Sequence, residues 1–154
     1  MKTFQIDFYT QYNQFYICDK DSPLLTDSDN FWTDDAFAER LAIEDGVLGV
    51  GTECYGPVKA EMILLGSENS ARDMSEFDHI VEGSLVIKSG ILQIKDCPNS
   101  SIELEVKVES GCYRVRIYSS NLDSVDGDEG NDHYTIEIWK AEKAGRKVIK
   151  RYER

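Results

Sequence analysis

Hydrophobic and polar residues alternate with a period of two along most of the chain. The alternation is most regular at residues 113–118, where the odd-numbered positions are apolar or aromatic, and at residues 134–139, where the even-numbered positions are. Such alternation is typical of half-buried antiparallel strands. The two runs therefore predict a long β-hairpin inside a sheet, with the residues between them forming its solvated tip.

Similar but shorter runs predict the other strands, which are separated by polar segments and by Gly or Pro turns. They cover residues 4–9, 14–19, 47–52, 58–65, 79–87, 91–96 and 101–108. In the last of these, the residues expected to face the core are Ile102, Leu104, Val106 and Val108. About nine strands joined by short turns predict an all-β fold, an antiparallel two-sheet β-sandwich of Greek-key or jelly-roll type. We expect residues 1–154 to form a single domain.

One short helix is predicted near residues 33–42. Thr33 suits its N-cap, and the two aspartates that follow favour the positive end of the helix dipole. Trp32 before the cap and Phe37 in the helix are spaced as a hydrophobic staple. Leu41 would lie on the same face as Phe37, so this face is expected to pack on a sheet, with Gly46 ending the unit.

Residues 145–154 form a basic C-terminal tail. The tail is either a closing element, in which Val148, Ile149 and Tyr152 pack against the domain, or a frayed end. The sequence leaves both alternatives open.

The chain has a formal net charge of −12, from 29 acidic and 17 basic residues. The last fifteen residues hold seven Lys or Arg against two Glu, so the rest of the chain is more acidic still. A surface this negative repels phosphate backbones, which disfavours direct binding of nucleic acid, and attracts a basic protein surface. Many soluble proteins are acidic for solubility alone, so charge by itself identifies no partner.

Composition and cysteine usage predict a soluble protein of the cytoplasm. The hydrophobic content is 41% and the mean hydropathy is −0.43, and no apolar run approaches the roughly 20 residues of a membrane helix. The N-terminus has a single Lys and then alternates, as a strand does and a signal peptide does not. The four cysteines are far apart and form no C-x-x-C pair, which favours buried, reduced side chains over disulfides or zinc.

The segment between the two hairpin strands is strongly acidic. Its five carboxylates are Asp123, Asp126, Asp128, Glu129 and Asp132. Loops of this kind bind calcium in some β-sandwich modules, so a calcium-dependent or ligand-binding module is one alternative. The EF-hand pattern does not fit, because Gly127 comes too early and no Glu closes the loop. A solvated acidic loop is the commoner interpretation of such a run, and we predict no metal and no cofactor.

Two Asp-His pairs, Asp78-His79 and Asp132-His133, are candidates for an oriented general base. Each pair opens a predicted strand, where neighbouring side chains point to opposite faces and would orient each other poorly. The sequence contains no nucleophile elbow, phosphate-binding Gly loop or H-E-x-x-H motif. We therefore predict that the protein is not an enzyme.

Three stretches of the sequence resemble a known family. They are YNQFYICD, WTDDAFAERLAIEDGVLGVGT and KAEMILLGSE, and the strongest local match is Trp32-Thr33-Asp34-Asp35. Together they are similar to the competence protein J family, small bacterial proteins whose namesake is described as an inhibitor of the DNA-entry nuclease. The hairpin segments GCYRVRIY and DHYTIEIW look like the C-terminal half of related bacterial proteins. The matching positions are strand, turn and staple residues, so the resemblance assigns no functional residue.

The resemblance and the charge suggest one function, a nuclease inhibitor or immunity protein. It would bind a basic nuclease or toxin domain stoichiometrically and block its nucleic-acid site by presenting carboxylates in place of phosphates. The predicted partner-binding residues are the five loop carboxylates, with Arg116, Tyr118 and Trp139 as flanking anchors. The competing interpretation of Tyr118 and Trp139 is that they pack inside the domain.

Overall fold

A computed structural model describes residues 1–27 and 29–153. The described residues form eleven strands: β1 Lys2–Tyr9, β2 Gln14–Asp19, β3 Leu41–Glu44, β4 Val47–Gly51, β5 Pro57–Leu64, β6 His79–Ile87, β7 Ile91–Lys95, β8 Ile102–Lys107, β9 Gly111–Ser120, β10 His133–Lys140 and β11 Lys147–Lys150. One α-helix, α1 (Asp34–Glu39), and two short 3₁₀ turns, Met74–Glu76 and Leu122–Ser124, complete the secondary structure. None of the described helices is long and apolar enough to cross a membrane.

The strands form two sheets that pack face to face. The larger has the order β1-β5-β10-β9-β6-β11, and the smaller has the order β3-β4-β2-β7-β8. Buried side chains from both sheets, such as Val115 and Ile136 from one and Ile17 and Leu48 from the other, form the main core. The predicted two-sheet β-sandwich is therefore confirmed, although one pair of neighbours, β5 and β10, is parallel.

The central hairpin is confirmed. β9 pairs antiparallel with β10 on one side and with β6 on the other, so it lies in the interior of the larger sheet. The predicted inner face of β9, with Tyr113, Val115 and Ile117, belongs to the main core. The outer face of this sheet carries the alternate residues of β9 and β10.

The predicted helix is too long. Thr33 is its N-cap and accepts a hydrogen bond from the Ala36 amide at 3.1 Å, as expected. The ring of Trp32 stacks on Phe37 with centroids 5.0 Å apart, which confirms the staple. The helix ends at Glu39, and Arg40 follows as its C-cap with a left-handed backbone (φ 64°).

The residues after this cap form a strand and not a second helical turn. Leu41 begins β3, which pairs with β4 across a tight turn in which Gly46 has φ +72°. Leu41 is consequently buried in the main core, whereas Phe37 keeps 63% of its surface exposed. β3 and β11 account for the two strands beyond the nine expected.

The C-terminal tail is a closing element. β11 pairs with β6 at the edge of the larger sheet, and Val148 and Tyr152 pack against the main core. Arg154, at the end of the predicted tail, lies outside the described residues. At the opposite edge of the sandwich, β8 alternates as predicted, but Ile102 is 55% exposed because its strand has no neighbour on one side.

Candidate partner-binding site

A buried ionic network covers the outer face of the larger sheet. Glu82 of β6 accepts hydrogen bonds from Arg114 Nε at 2.5 Å and from Arg116 Nε at 2.8 Å. Burial alone would raise the pKa of the Glu82 carboxyl, but the two guanidinium groups outweigh it and hold the pKa below its usual value. Glu68, in the loop that follows β5, receives a further bond from Arg116.

A second buried carboxylate, Glu137 of β10, ties the same loop to the sheet. Its side chain is fully buried and accepts hydrogen bonds from Asn69, Arg72 and the Tyr118 hydroxyl. The Arg72 guanidinium also lies 5.3 Å from the centre of the Tyr118 ring. The loop at residues 65–78 is thereby fixed across the outer face by ion pairs, and near its end by the Phe77 ring, whose centroid lies 4.9 Å from that of Tyr118.

The three predicted anchors belong to this network and do not reach the surface. Arg116, Tyr118 and Trp139 are only 4%, 1% and 5% exposed, and the Arg116 guanidinium lies 4.9 Å from the Trp139 ring centre. This burial agrees with the competing interpretation of Tyr118 and Trp139 as packing residues. Arg116 and Tyr118 are in contact with the loop at residues 65–78, through Asn69 and Arg72.

The five predicted carboxylates of the acidic segment are divided by burial. Asp132 is 6% exposed, and one of its oxygens accepts hydrogen bonds from the Tyr134 hydroxyl at 2.6 Å and from the Cys54 amide at 3.3 Å. The Tyr134 hydroxyl in turn accepts a bond from the Glu53 amide, so Asp132 fixes the turn after β4 to the start of β10. Burial, with the adjacent Asp132 carboxylate, raises the pKa of Tyr134 well above its ordinary value.

The other four carboxylates are exposed. Asp126 and Glu129 exchange two backbone hydrogen bonds, at 2.7 and 3.0 Å, and so close a tight turn in which Gly127 has φ +66°. Asp126, Asp128 and Glu129 form what we call the acidic tip. Asp123 lies apart from it and accepts a hydrogen bond from the Tyr152 hydroxyl, which connects the segment to the C-terminal tail.

Exposed tyrosines that were not predicted from the sequence lie beside the acidic tip. The Tyr55 amide donates to the Gly127 carbonyl at 3.0 Å, which fixes the turn after β4 against the tip. Gly56 lies between the Tyr9 ring and the Asp128 side chain. Tyr9 and Tyr55 retain 73% and 47% exposure. Tyr9 occupies the polar face of the alternation in β1, and an aromatic residue at such a position is the signal that could have identified it.

The two tyrosines line a cleft of about 450 Å³. Residues of β1, of the turns after β1, β4 and β7, and of the acidic tip form its walls: Tyr9, Thr10, Gln11, Tyr55, Gly56, Asp96, Cys97, Asn99 and Asp128. Asp96 is buried and accepts a hydrogen bond from the Ser101 amide at 2.6 Å, whereas Asp128 is exposed. The cleft therefore combines aromatic surface with negative charge.

The Asp-His pairs do not form hydrogen-bonded dyads among their described contacts. Asp78 accepts a bond from the Leu122 amide, and Asp132 is held as described above. The His79 ring lies between the Glu39 carbonyl and the Tyr152 amide, at 2.8 and 3.0 Å. Within residues 1–27 and 29–153, no group of three or more His, Cys, Asp or Glu side chains is arranged to hold a metal ion. The four cysteines are free, and three of them are buried.

No protein-family model matches the chain, and no curated protein matches it at a significant level. Solved structures are similar to it nonetheless. One is the crystal structure of ComJ, inhibitor of the DNA degrading activity of NucA, from Bacillus subtilis, with a TM-score of 0.69 and 20% identity over 91% of this chain and 98% of that one. Another is described as crocagin biosynthetic gene J, with a TM-score of 0.57 and 20% identity over 92% of this chain and 100% of that one. The resemblance to the competence protein J family is thus confirmed at the level of the fold.

Proposed function

We propose that the protein is a nuclease inhibitor, which binds its target stoichiometrically and covers the surface where the target binds nucleic acid. The observation that carries the proposal is the acidic tip, because Asp126, Asp128 and Glu129 project from a turn that is fixed to the domain. The similarity to ComJ, described as an inhibitor of NucA, supports it. A target of this kind is a basic nuclease or toxin domain.

The physical basis is competition for cationic side chains. A nuclease presents Lys and Arg to the phosphates of its substrate, and rigidly held carboxylates can occupy the same groups. The net charge of −12 adds a long-range attraction, which accelerates encounter with a basic surface and repels the nucleic acid. Inhibition then needs no chemistry from the inhibitor, only that it reach the site and remain there.

The test is recovery of the target and assay of its activity. Tagged protein is used to isolate partners from the native host at low salt and again at high salt, and the recovered proteins are assayed on DNA and RNA. We expect a nuclease that is retained at low salt, released at high salt and inhibited completely by an equimolar amount of this protein. A host fraction without nuclease at either salt, or a nuclease that remains active with excess protein, contradicts the proposal.

A further inference from the structure

The cleft between the acidic tip and β1 has the chemistry of a binding site for one basic side chain. Tyr9, at 73% exposure, presents most of its ring to solvent, and Tyr55 lines the same cleft. Large, exposed aromatic surfaces are costly in a soluble domain and mark interaction sites when they cluster. Here they are next to the carboxylate of Asp128, and the buried carboxyl of Asp96 forms part of the wall.

Aromatic faces and carboxylates together favour a cation over the other occupants of such a cleft. The negative face of a tyrosine ring attracts a cation that lies above it, and a carboxylate at the rim adds a direct ion pair. An apolar side chain would displace water from the Asp128 carboxylate without replacing its hydrogen bonds, and an anion would be repelled. Arginine fits better than lysine, because its planar guanidinium can stack on a ring while its N–H groups donate to the carboxylate.

The cleft is preformed. The Thr10 amide donates to the Gly56 carbonyl at 2.9 Å and the Gln11 amide donates to the Cys97 carbonyl at 2.8 Å, so the turns that form its walls are bonded to one another. Gly56 has no side chain to fill the space between the Tyr9 ring and Asp128: a Cβ there would lie 3.4 Å from the ring and 3.8 Å from the Asp128 Cβ. The walls of the cleft therefore lose little conformational entropy when a partner inserts a side chain.

We infer that this cleft captures an arginine side chain of the target protein, between the tyrosine rings and Asp128. The inference rests on the proposed function for the identity of the partner, and it adds the point at which that partner is held. The acidic tip supplies attraction over a distance, whereas the cleft supplies a short-range, shape-dependent contact. Specificity for one target over other basic proteins therefore follows from the cleft and not from the acidic tip.

The first experiment uses a probe that does not depend on any nuclease. ¹H–¹⁵N NMR spectra are recorded during titration with N-acetyl-arginine amide at millimolar concentrations, and N-acetyl-citrulline amide serves as its uncharged counterpart. We expect the arginine compound alone to shift the amide signals of Tyr9, Tyr55, Gly56 and Asp128, and the Tyr9→Leu substitution to abolish these shifts. Shifts that persist in the Tyr9→Leu protein, or that are absent from this cleft, overturn the inference.

The second experiment uses the target nuclease. Tyr9→Leu removes the ring at similar size and is expected to weaken binding by roughly 2- to 30-fold, the range that cation–π contacts provide, while Tyr9→Phe keeps the ring and retains affinity. Tyr12→Leu is the matched control, because Tyr12 is also exposed, at 60%, but does not line this cleft.

Equal affinities of the Tyr9→Leu and Tyr12→Leu proteins refute the inference and leave nuclease inhibition intact. If no nuclease is inhibited by the unaltered protein, the proposed function fails, and the arginine titration still decides the nature of the cleft.

Discussion

Carboxylates that are close in sequence have opposite roles in the segment between β9 and β10. Asp128 is exposed at the acidic tip, whereas Asp132 is buried and accepts bonds from Tyr134 and Cys54. We expect Asp132→Ala to reduce the free energy of unfolding by about 1–3 kcal/mol, because it leaves buried donors without their acceptor. Asp128→Ala should change it by no more than about 0.5 kcal/mol. Urea unfolding of both variants measures the difference.

The same pair of variants distinguishes folding from binding. In the proposed function, Asp128→Ala weakens the complex with a nuclease although the protein remains as stable as before. If the Asp132→Ala protein unfolds at the same urea concentration as the Asp128→Ala protein, the structural role given to Asp132 is incorrect.

Among the elements, those with regular alternation could be predicted from the sequence, and those that depend on tertiary contacts could not. β9 and β10 were identified because every second residue enters the core. β3 was missed because Leu41 continues the helical spacing of Phe37, and only the pairing with β4 through the turn at Gly46 makes it a strand. Helical propensity is weak over so few residues, and strand pairing overrides it.

The binding residues were predicted less well, and for a related reason. The sequence shows that Arg116 and Tyr118 lie on the face away from the core, but it does not show that the loop at residues 65–78 covers this face. Tyr9 was not predicted as a binding residue, although it lies on the polar face of the alternation in β1. Its exposure results from its position at the end of β1, an edge strand.

The C-terminal strand is connected to the domain by a histidine, which predicts a dependence of stability on pH. The His79 Nδ1 accepts a hydrogen bond from the Tyr152 amide just beyond β11, so its Nε2 carries the proton that is donated to the Glu39 carbonyl. Burial lowers the pKa of the imidazole below its ordinary value of 6.5, with the nearby Arg40 and Arg151 acting in the same direction and Glu39 against it. A proton on Nδ1 would face the Tyr152 N–H and break this bond.

The sign of the effect follows from proton linkage. Because the pKa is lower in the folded than in the unfolded protein, the stabilisation is complete above the unfolded pKa of about 6.5 and is lost as the pH falls from there through the folded pKa. We expect the free energy of unfolding to decrease between pH 7.5 and pH 5, and His79→Asn to remove most of this decrease. Urea unfolding at the two pH values measures this decrease in the free energy of unfolding, and the His133→Asn protein serves as the control. If His79→Asn leaves the pH dependence of the free energy of unfolding unchanged, the link between His79 and stability is refuted. The Glu39 and Glu82 carboxyls, whose pKa values are lowered, act only at more acidic pH.

On the scale of the whole molecule, charge is separated into internal and external groups. The arginines and glutamates of the outer face neutralise one another within the fold, as Glu82 does with Arg114 and Arg116. The tail is held in a similar way by the ion pair of Arg146 with Glu39. The exposed carboxylates therefore dominate the field that a partner meets, and the acidic tip is one of the places where they are concentrated.

This arrangement predicts that the rate of association depends on the tip more than on net charge alone. Neutralising the tip by Asp126→Asn, Asp128→Asn and Glu129→Gln together should slow association with the target nuclease and flatten its dependence on salt, since steering is screened within about 10 Å at 0.1 M salt. The control carries Glu76→Gln, Glu103→Gln and Glu142→Gln, three exposed residues outside the tip, and has the same net charge. Stopped-flow association at several salt concentrations compares the two proteins. Equal slopes would show that the overall charge acts and the tip does not, and the interface would then have to be sought on another face of the sandwich.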